Sequence, residues 1–120
     1  MHDFRKLRVW QSSRELAAEL GTATKAFPRE DRGVIANQLR RSALSIPSNI
    51  AEGCGEETRA ETLRFLRIAL RSAAETENHL VAANDAGFFN ERTYDDFVER
   101  TVAIQRMLRA LILKFPHQVR

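Results

Sequence analysis

Apolar side chains recur at alternating spacings of three and four residues in four separate stretches of the chain. Near the C-terminus this pattern comprises Tyr94, Phe97, Thr101, Ile104, Leu108, Leu111 and Phe115. Such spacing places the side chains on one face of an α-helix, and alternating runs typical of strands are nearly absent. The connections between the stretches are short. The pattern therefore predicts an all-α fold, a single up-down-up-down antiparallel four-helix bundle that spans residues 1–120 as one domain.

Local signals predict where the first two helices begin and end. The first helix ends at Phe27-Pro28, because the residue before a proline avoids helical geometry. The second begins at about residues 30–34 and contains Pro47, which we expect to kink the helix rather than divide it. Gly53-Cys54-Gly55 then ends this helix, with glycine in the left-handed conformation.

The last two helices carry their own capping signals. Thr58 begins a capping box and predicts a third helix that starts beside it and runs to about Asn84. Asn90 or Thr93 caps the fourth helix, and Phe115-Pro116 ends it.

Composition excludes several classes of protein. The chain is 43% hydrophobic over 120 residues, enough for one core and unlike a disordered chain. No apolar run approaches the roughly 18 residues that a membrane span needs, so we expect no membrane partner. The start lacks the apolar segment of a secretory signal, and Cys54 is the only cysteine. We therefore expect a cytoplasmic protein without an intrachain disulfide.

Several motifs resemble one known family across nearly the whole chain. They are LRVWQ at 7–11, FP at 27–28, QLRRSA at 38–43, SI at 45–46, NIAEG at 49–53 and FLRIALRSAAE at 65–75. In this order they resemble the bacterial 23S rRNA intervening-sequence proteins, also called the S23 family of four-helix bundles. Arg71 departs from the pattern because the family usually has glycine there, and Glu56 stands where a basic residue is common.

The resemblance implies partners rather than an activity. Some members of the family are encoded inside insertions in large-subunit ribosomal RNA genes, while many have no established role. The accessory protein of diversity-generating retroelements has a similar bundle, forms a pentamer with a basic surface and binds nucleic acid. By similarity, we expect a homopentamer that binds nucleic acid, with RNA favoured over DNA.

Basic residues form two candidate nucleic-acid-binding groups. Arg64, Arg67 and Arg71 recur at spacings of three and four and make a cationic ridge on the third helix. The other candidates are Arg5, Lys6, Arg8 and Arg14 near the N-terminus and Arg40 on the second helix. For any one arginine, a solvated helix face is the alternative interpretation. As a set, the cations predict electrostatic contacts to phosphates.

A polar stripe interrupts the second helix. Its members are Arg41, Ser45, Asn49 and Glu52, and we group them with Glu75 of the third helix. Antiparallel packing about the glycine turn places Arg41 near Ser72 and within reach of Glu75, and places Glu75 near Arg100. We interpret the stripe as a structural network between helices; a ligand site and a subunit interface are the alternatives.

Enzymatic chemistry finds no support in the sequence. A di-iron bundle needs two Glu-x-x-His pairs, and the histidines are His2, His79 and His117. One cysteine with scattered histidines makes no zinc site, and no histidine is placed to activate Cys54. We expect no catalysis, cofactor or metal. An oligomeric protein scaffold without nucleic acid is the alternative function, in which Trp10, Phe88 and Phe89 are candidates for subunit contacts.

Overall fold

The computed structural model describes residues 3–29 and 32–118, and these contain no strand. Its α-helices are α1 (Arg8–Ala23), α2 (Asn37–Cys54), α3 (Arg59–Asp85) and α4 (Glu91–Gln118). Short turns of 3₁₀-helix flank α1 at Phe4–Lys6 and Thr24–Ala26, and a π-helical turn at Arg32–Ala36 leads into α2. The predicted all-α four-helix bundle is confirmed. The beginning predicted for the second helix lies partly outside the described residues, at positions 30 and 31.

The helices pack side by side in an elongated bundle of 51 × 22 × 20 Å. Each contacts the next along the chain, and α1 also contacts α4, which closes the ring of helices. The largest aliphatic side chains at the centre are almost completely buried: Leu16, Leu20, Leu39, Ile46, Ile50, Leu66, Leu80, Ile104 and Leu108. Burial of one such side chain contributes about 1.5–3 kcal/mol, so this shared core holds all four helices together.

Helix α2 continues through Pro47, as predicted for one helix rather than two. Its kink stays a prediction. The end of α2 differs from the sequence expectation, because Gly55 has φ −87° and ψ −6° and is right-handed. Gly53 is needed for a different reason: a Cβ there would lie 3.1 Å from Phe65 Cβ and 3.3 Å from the Thr62 carbonyl oxygen. Close approach of α3, rather than a left-handed cap, therefore favours glycine at the end of α2.

The predicted caps of α3 and α4 are present. Thr58 Oγ1 accepts a hydrogen bond of 3.2 Å from the Glu61 amide, and Asn90 Oδ1 accepts one of 2.8 Å from the Thr93 amide. The predicted stop at Phe115-Pro116 is wrong, since α4 continues to Gln118. A proline inside a helix removes one backbone hydrogen bond, and because Pro116 stands in the last turn of α4, this loss affects only the end of the helix.

An aromatic cluster lies where α1 ends and α4 begins. The ring centroid of Phe27 lies 4.8 Å from that of Phe88 and 5.3 Å from that of Phe89, which in turn lies 5.7 Å from Phe97. Phe88 and Phe89 are therefore half-buried and pack within the chain, and their role as subunit contacts stays a prediction. Trp10 packs edge-on against Phe4 at a centroid distance of 5.0 Å.

Candidate functional site

Hydroxyl and amide side chains connect α2 to α3 near the middle of the bundle. Ser45 Oγ and Ser72 Oγ share a hydrogen bond of 2.8 Å. The Asn49 amide donates to the carbonyl oxygen and to the hydroxyl of Ser45, at 2.8 and 2.9 Å. Thr76 Oγ1 lies 3.0 Å from Ser42 Oγ and 2.8 Å from the Ser72 carbonyl oxygen. We call these five residues the hydroxyl ladder.

The structure thus brings Ser45 and Asn49 of the polar stripe together but leaves the charged members outside the ladder. Arg41 and Glu52 are exposed. The Glu75 carboxylate lies 3.8 Å from His79 Nε2. Ser42 and Thr76 did not figure in the sequence interpretation, although their signal was present, since each is a hydroxyl on the apolar face of its helix.

A cavity of about 430 Å³ opens beside the ladder. It is lined by Gln38, Arg41, Ser42, Ser45, Glu75 and His79. Arg41 and Glu75 face this cavity from α2 and α3 but form no ion pair with each other, although the sequence predicts Arg41 to be within reach of Glu75. The cavity therefore has charged side chains of both signs in its walls and a hydrogen-bonded floor.

The cationic ridge of α3 is exposed along its whole length, but its members differ in their contacts. Arg64 pairs with the Glu61 carboxylate at 3.1 Å and lies over the ring of Phe65, 4.5 Å from its centroid. The hydrogen bonds that the guanidinium donates to the Glu61 carboxylate raise the pKa of Arg64. Arg67 and Arg71 make no ion pair with a described carboxylate, so they are the members of the ridge most available to a phosphate.

The basic residues near the N-terminus, which we call the N-terminal cluster, lie around the beginning of α1: Arg5, Lys6, Arg8 and Arg14. Arg5 pairs with Asp3 at 3.3 Å, and its carbonyl accepts a 2.7 Å hydrogen bond from the Gln11 side chain. The Arg14 guanidinium lies 5.6 Å from the centroid of the Trp10 ring. Lys6 and Arg8 are exposed. An open cavity of about 520 Å³ is lined by Arg5, Trp10, Gln11, Arg14 and Glu15.

Arg40 lies apart from the ridge of α3 and shares a groove with Arg14 of the N-terminal cluster. Its guanidinium donates to the Asn37 side chain of the preceding turn. It lines a groove of about 250 Å³ between α1 and α2, together with Arg14, Ala17, Ala18, Gly21, Leu44 and Pro47. Leu44 is 57% exposed at this groove. The structure therefore places Arg40 beside an apolar surface.

Charge is segregated along the two longest helices. Apart from Glu61, the first half of α3 carries only cations: Arg59, Arg64, Arg67 and Arg71. Its second half carries the acids Glu75, Glu77 and Asp85. Helix α4 has the reverse order, because all of its acids precede residue 100 and its charges beyond that residue are positive: Arg106, Arg109 and Lys114.

Antiparallel packing brings these cation-rich halves to the same end of the bundle. The Gln105 side chain donates a 2.8 Å hydrogen bond to Glu77, which fixes the register of α4 against α3. By helix rise, residues of the two helices whose numbers sum to roughly 180 lie at one height, so Arg71 is level with Arg109. The N-terminal cluster lies at this end too, because α1 is antiparallel to α4. We call it the basic end; the opposite end, where α4 begins, is the acidic end.

The cations of α4 did not enter the sequence interpretation of the site. Arg106 and Arg109 are exposed, as is Lys114. The sequence signal for these cations is the change from negative to positive charge along the last helix. It indicates a shared basic surface only once the helix that packs beside α4 is known.

Among the described residues, no helix has both the length and the apolar composition needed to span a membrane. Nor does that part of the chain bring together three or more histidine, cysteine or acidic side chains that would hold a metal ion.

Comparison with known proteins identifies the family. A crystal structure from Bacteroides thetaiotaomicron VPI-5482, of a protein with unknown function from the S23 ribosomal protein family, superposes with a TM-score of 0.81. It is 28% identical in sequence, and the match covers 87% of this chain and 94% of that one. No curated protein matches the sequence. The family described as 23S rRNA-intervening sequence protein matches residues 5–110, and this chain therefore belongs to it.

Proposed function

We propose that this protein is a non-enzymatic nucleic-acid-binding or adaptor protein, with RNA as the preferred ligand, and that it binds through its basic end. The observation that carries the proposal is the segregation of charge along α3 and α4, together with the N-terminal cluster at the same end. A formal net charge of +3 is modest, but a local concentration of guanidinium groups produces a much stronger field than the net charge suggests. The family's association with 23S rRNA genes favours RNA.

The proposed mechanism is neutralisation of phosphates. The guanidinium groups of Arg67 and Arg71 form no ion pair with a described carboxylate and are available to phosphates. Arg106 and Arg109 extend this basic surface onto α4. Each phosphate contact releases condensed counterions, so affinity falls steeply as salt is added. Contacts of this kind position the ligand and carry little sequence information. The proposal therefore predicts binding that depends strongly on salt and weakly on sequence.

We further infer that copies of the chain self-associate through the α1–α2 groove, and the resemblance to the retroelement accessory protein suggests a pentamer. The groove is apolar between Arg14 and Arg40, and Leu44 is 57% exposed beside it. Exposed apolar surface rimmed by polar groups is typical of interaction sites. In a ring of subunits the basic ends multiply, which strengthens the field that attracts nucleic acid.

Binding of a labelled structured RNA across a salt series tests the proposal. The variant replaces Arg67 and Arg71 with alanine, and its matched control replaces Lys25 and Arg92, two exposed cations at the acidic end. We expect log affinity to fall linearly with log salt concentration. Since each lost phosphate contact removes roughly 0.7–0.9 from the slope, the ridge variant has a slope shallower by about 1.4–1.8, and the control keeps the original slope.

An oligomeric protein scaffold without nucleic acid remains the second candidate, and the exposed groove at Leu44 favours it. The same salt series separates the two functions. Absence of RNA binding at low salt would exclude the first proposal and leave self-association as the function that the surface supports. If the ridge variant and its control give equal slopes of log affinity against log salt concentration, the phosphate contacts do not lie on the ridge of α3.

A further inference from the structure

The cavity between α2 and α3 has the dimensions of a ligand site and begins one helical turn beyond Arg71. Its volume of about 430 Å³ lies within the range of roughly 300–1,000 Å³ that is typical of small-molecule pockets. Glu75 and His79 follow Arg71 at successive intervals of four residues, so they continue along the side of α3 that carries the ridge. Gln38 and Arg41 line the cavity from α2. A strand of nucleic acid on the ridge would pass the mouth of this cavity.

The walls of the cavity are charged and still available for binding. Arg41 is exposed and has no ion-pair or hydrogen-bond partner among the described side chains. The Glu75 side chain is 65% exposed, and its separation of 3.8 Å from His79 Nε2 is longer than a hydrogen bond. Both carboxylate oxygens can therefore accept hydrogen bonds from a ligand. His79 is only 16% exposed, so its imidazole forms part of the enclosed surface.

The floor of the cavity is fixed by the hydroxyl ladder. Ser42 donates to the Leu39 carbonyl at 3.2 Å and lies 3.0 Å from Thr76 Oγ1. Ser45 is held between Ser72 and Asn49. Because these side chains already have partners across two helices, the floor keeps its shape before a ligand enters. Such preorganisation reduces the entropic cost of binding.

We propose that this cavity receives one unpaired guanine nucleotide of a single-stranded RNA region. Guanine is the base whose Watson–Crick edge presents two adjacent donors, N1–H and the 2-amino group, and a carboxylate accepts both in parallel. Adenine and cytosine place a ring nitrogen acceptor beside their amino group, which repels the second oxygen. Glu75 reads the base, and Arg41 binds the phosphate of the same nucleotide. The inference rests on the proposed binding of nucleic acid and adds a base preference to it, as single-stranded RNA permits.

Fluorescence anisotropy with four labelled RNAs tests this inference. The probes are a 12-residue oligouridine and the same RNA with a single central guanosine, adenosine or inosine. We expect guanosine to improve affinity about fivefold or more over the other probes, in keeping with one bidentate base contact. Inosine, which lacks the 2-amino group, loses most of this gain. Glu75→Gln abolishes the preference, whereas Glu99→Gln, which removes an exposed charge from α4, keeps it.

The four probes distinguish failure of the inference from failure of the proposed function. If oligouridine binds with the expected salt dependence but guanosine confers no gain, the base pocket is overturned and the electrostatic function stands. Persistence of the guanosine preference in Glu75→Gln would also overturn the assignment of the pocket. If none of the four single-stranded RNAs binds at low salt while the structured RNA does, the base pocket is overturned; if the structured RNA does not bind either, the nucleic-acid function itself is excluded.

Discussion

Arg100 donates two hydrogen bonds to the Glu19 carboxylate, one from each terminal nitrogen and each 2.9 Å long, and so joins α4 to α1. The guanidinium also lies 3.5 Å from Asp96 on its own helix and 6.0 Å from the centroid of Phe97. Paired, nearly parallel bonds of this kind fix the orientation of both side chains. The sequence had suggested Glu75 as the neighbour of Arg100, and the actual partner lies on the other adjacent helix.

Replacement of Arg100 by alanine should lower the free energy of unfolding by about 1 kcal/mol. The pair is partly exposed, with the Arg100 side chain at 28% and Glu19 at 58% exposure, so solvent screens most of its Coulomb energy. Urea denaturation followed by circular dichroism gives the value. Arg92→Ala, an exposed change on the same helix without a described partner, should stay within ±0.5 kcal/mol. Equal losses in both variants would mean that the bidentate geometry adds nothing.

The same pair makes stability depend on acid pH. The hydrogen bond from Arg100, with a smaller Coulomb contribution from the same side chain, lowers the pKa of Glu19 below its model-compound value of 4.5. A carboxyl with a lowered pKa stabilises the folded state above its unfolded-state pKa, and this stabilisation disappears as pH falls through the folded-state pKa. The loss therefore lies below about pH 4.5. We expect Glu19→Gln to be less stable than the parent at pH 7 and to approach it at pH 3. If the free energies of unfolding of Glu19→Gln and the parent differed by the same amount at pH 7 and at pH 3, this assignment would be contradicted.

Local signals predicted the helices well. Thr58 and Asn90 each present a side-chain acceptor to an otherwise unpaired amide, and this chemistry is decided within four residues of sequence. Core positions follow equally from helical periodicity. The aromatic residues at the turn before α4 are harder to predict, since Phe88 and Phe89 become half-buried through contact with Phe27, which follows α1 far away in the sequence.

Pairing between helices was the main source of error at the candidate site. The sequence correctly predicts that α3 starts beside Thr58, but a pairing centred on Gly53–Gly55 neglects residues 56–58 of the turn, and this shifts the register by more than a turn of helix. Ser45 consequently meets Ser72, and Arg41 lies level with Thr76. The basic end depends on the same information, because the charges of α4 join those of α3 only in an antiparallel arrangement. The nucleic-acid-binding role of these arginines stays a prediction.

Gly53→Ala should destabilise the protein by about 1–3 kcal/mol, as overpacking does in other cores. The new methyl would lie 3.1 Å from Phe65 Cβ and 3.3 Å from the Thr62 carbonyl oxygen, and neither atom is the end of a flexible side chain. Helix α3 would have to move, which also strains the 3.0 Å hydrogen bond from Thr62 Oγ1 to the Gly53 carbonyl. Thermal unfolding measures the effect.

Gly21→Ala is the matched comparison for that variant. Gly21 is also helical, yet a Cβ there meets no atom within 4 Å. Because Gly21 also lines the α1–α2 groove, both glycine variants are compared in the Leu44→Glu background, where alanine at position 21 should be neutral or should stabilise α1 by up to about 1 kcal/mol through its higher helix propensity. If the two glycine variants lost stability equally, the close approach of α2 and α3 at Gly53 would not be the cause.

Leu44→Glu should separate assembly from folding. Leu44 is 57% exposed, so a polar side chain at this position costs the monomer little. In an interface formed by the α1–α2 groove, the same carboxylate would be taken out of water beside apolar surface, and an ion pair with Arg14 or Arg40 at the rim would offset only part of its desolvation. We expect the parent protein to give an oligomeric mass by light scattering and the variant to give the monomer mass with an unchanged helical spectrum. Leu113→Glu is the control, because Leu113 is 73% exposed on α4, away from the groove, and its replacement should leave the oligomer intact. A variant at Leu44 that assembles like the parent would exclude this groove as the interface.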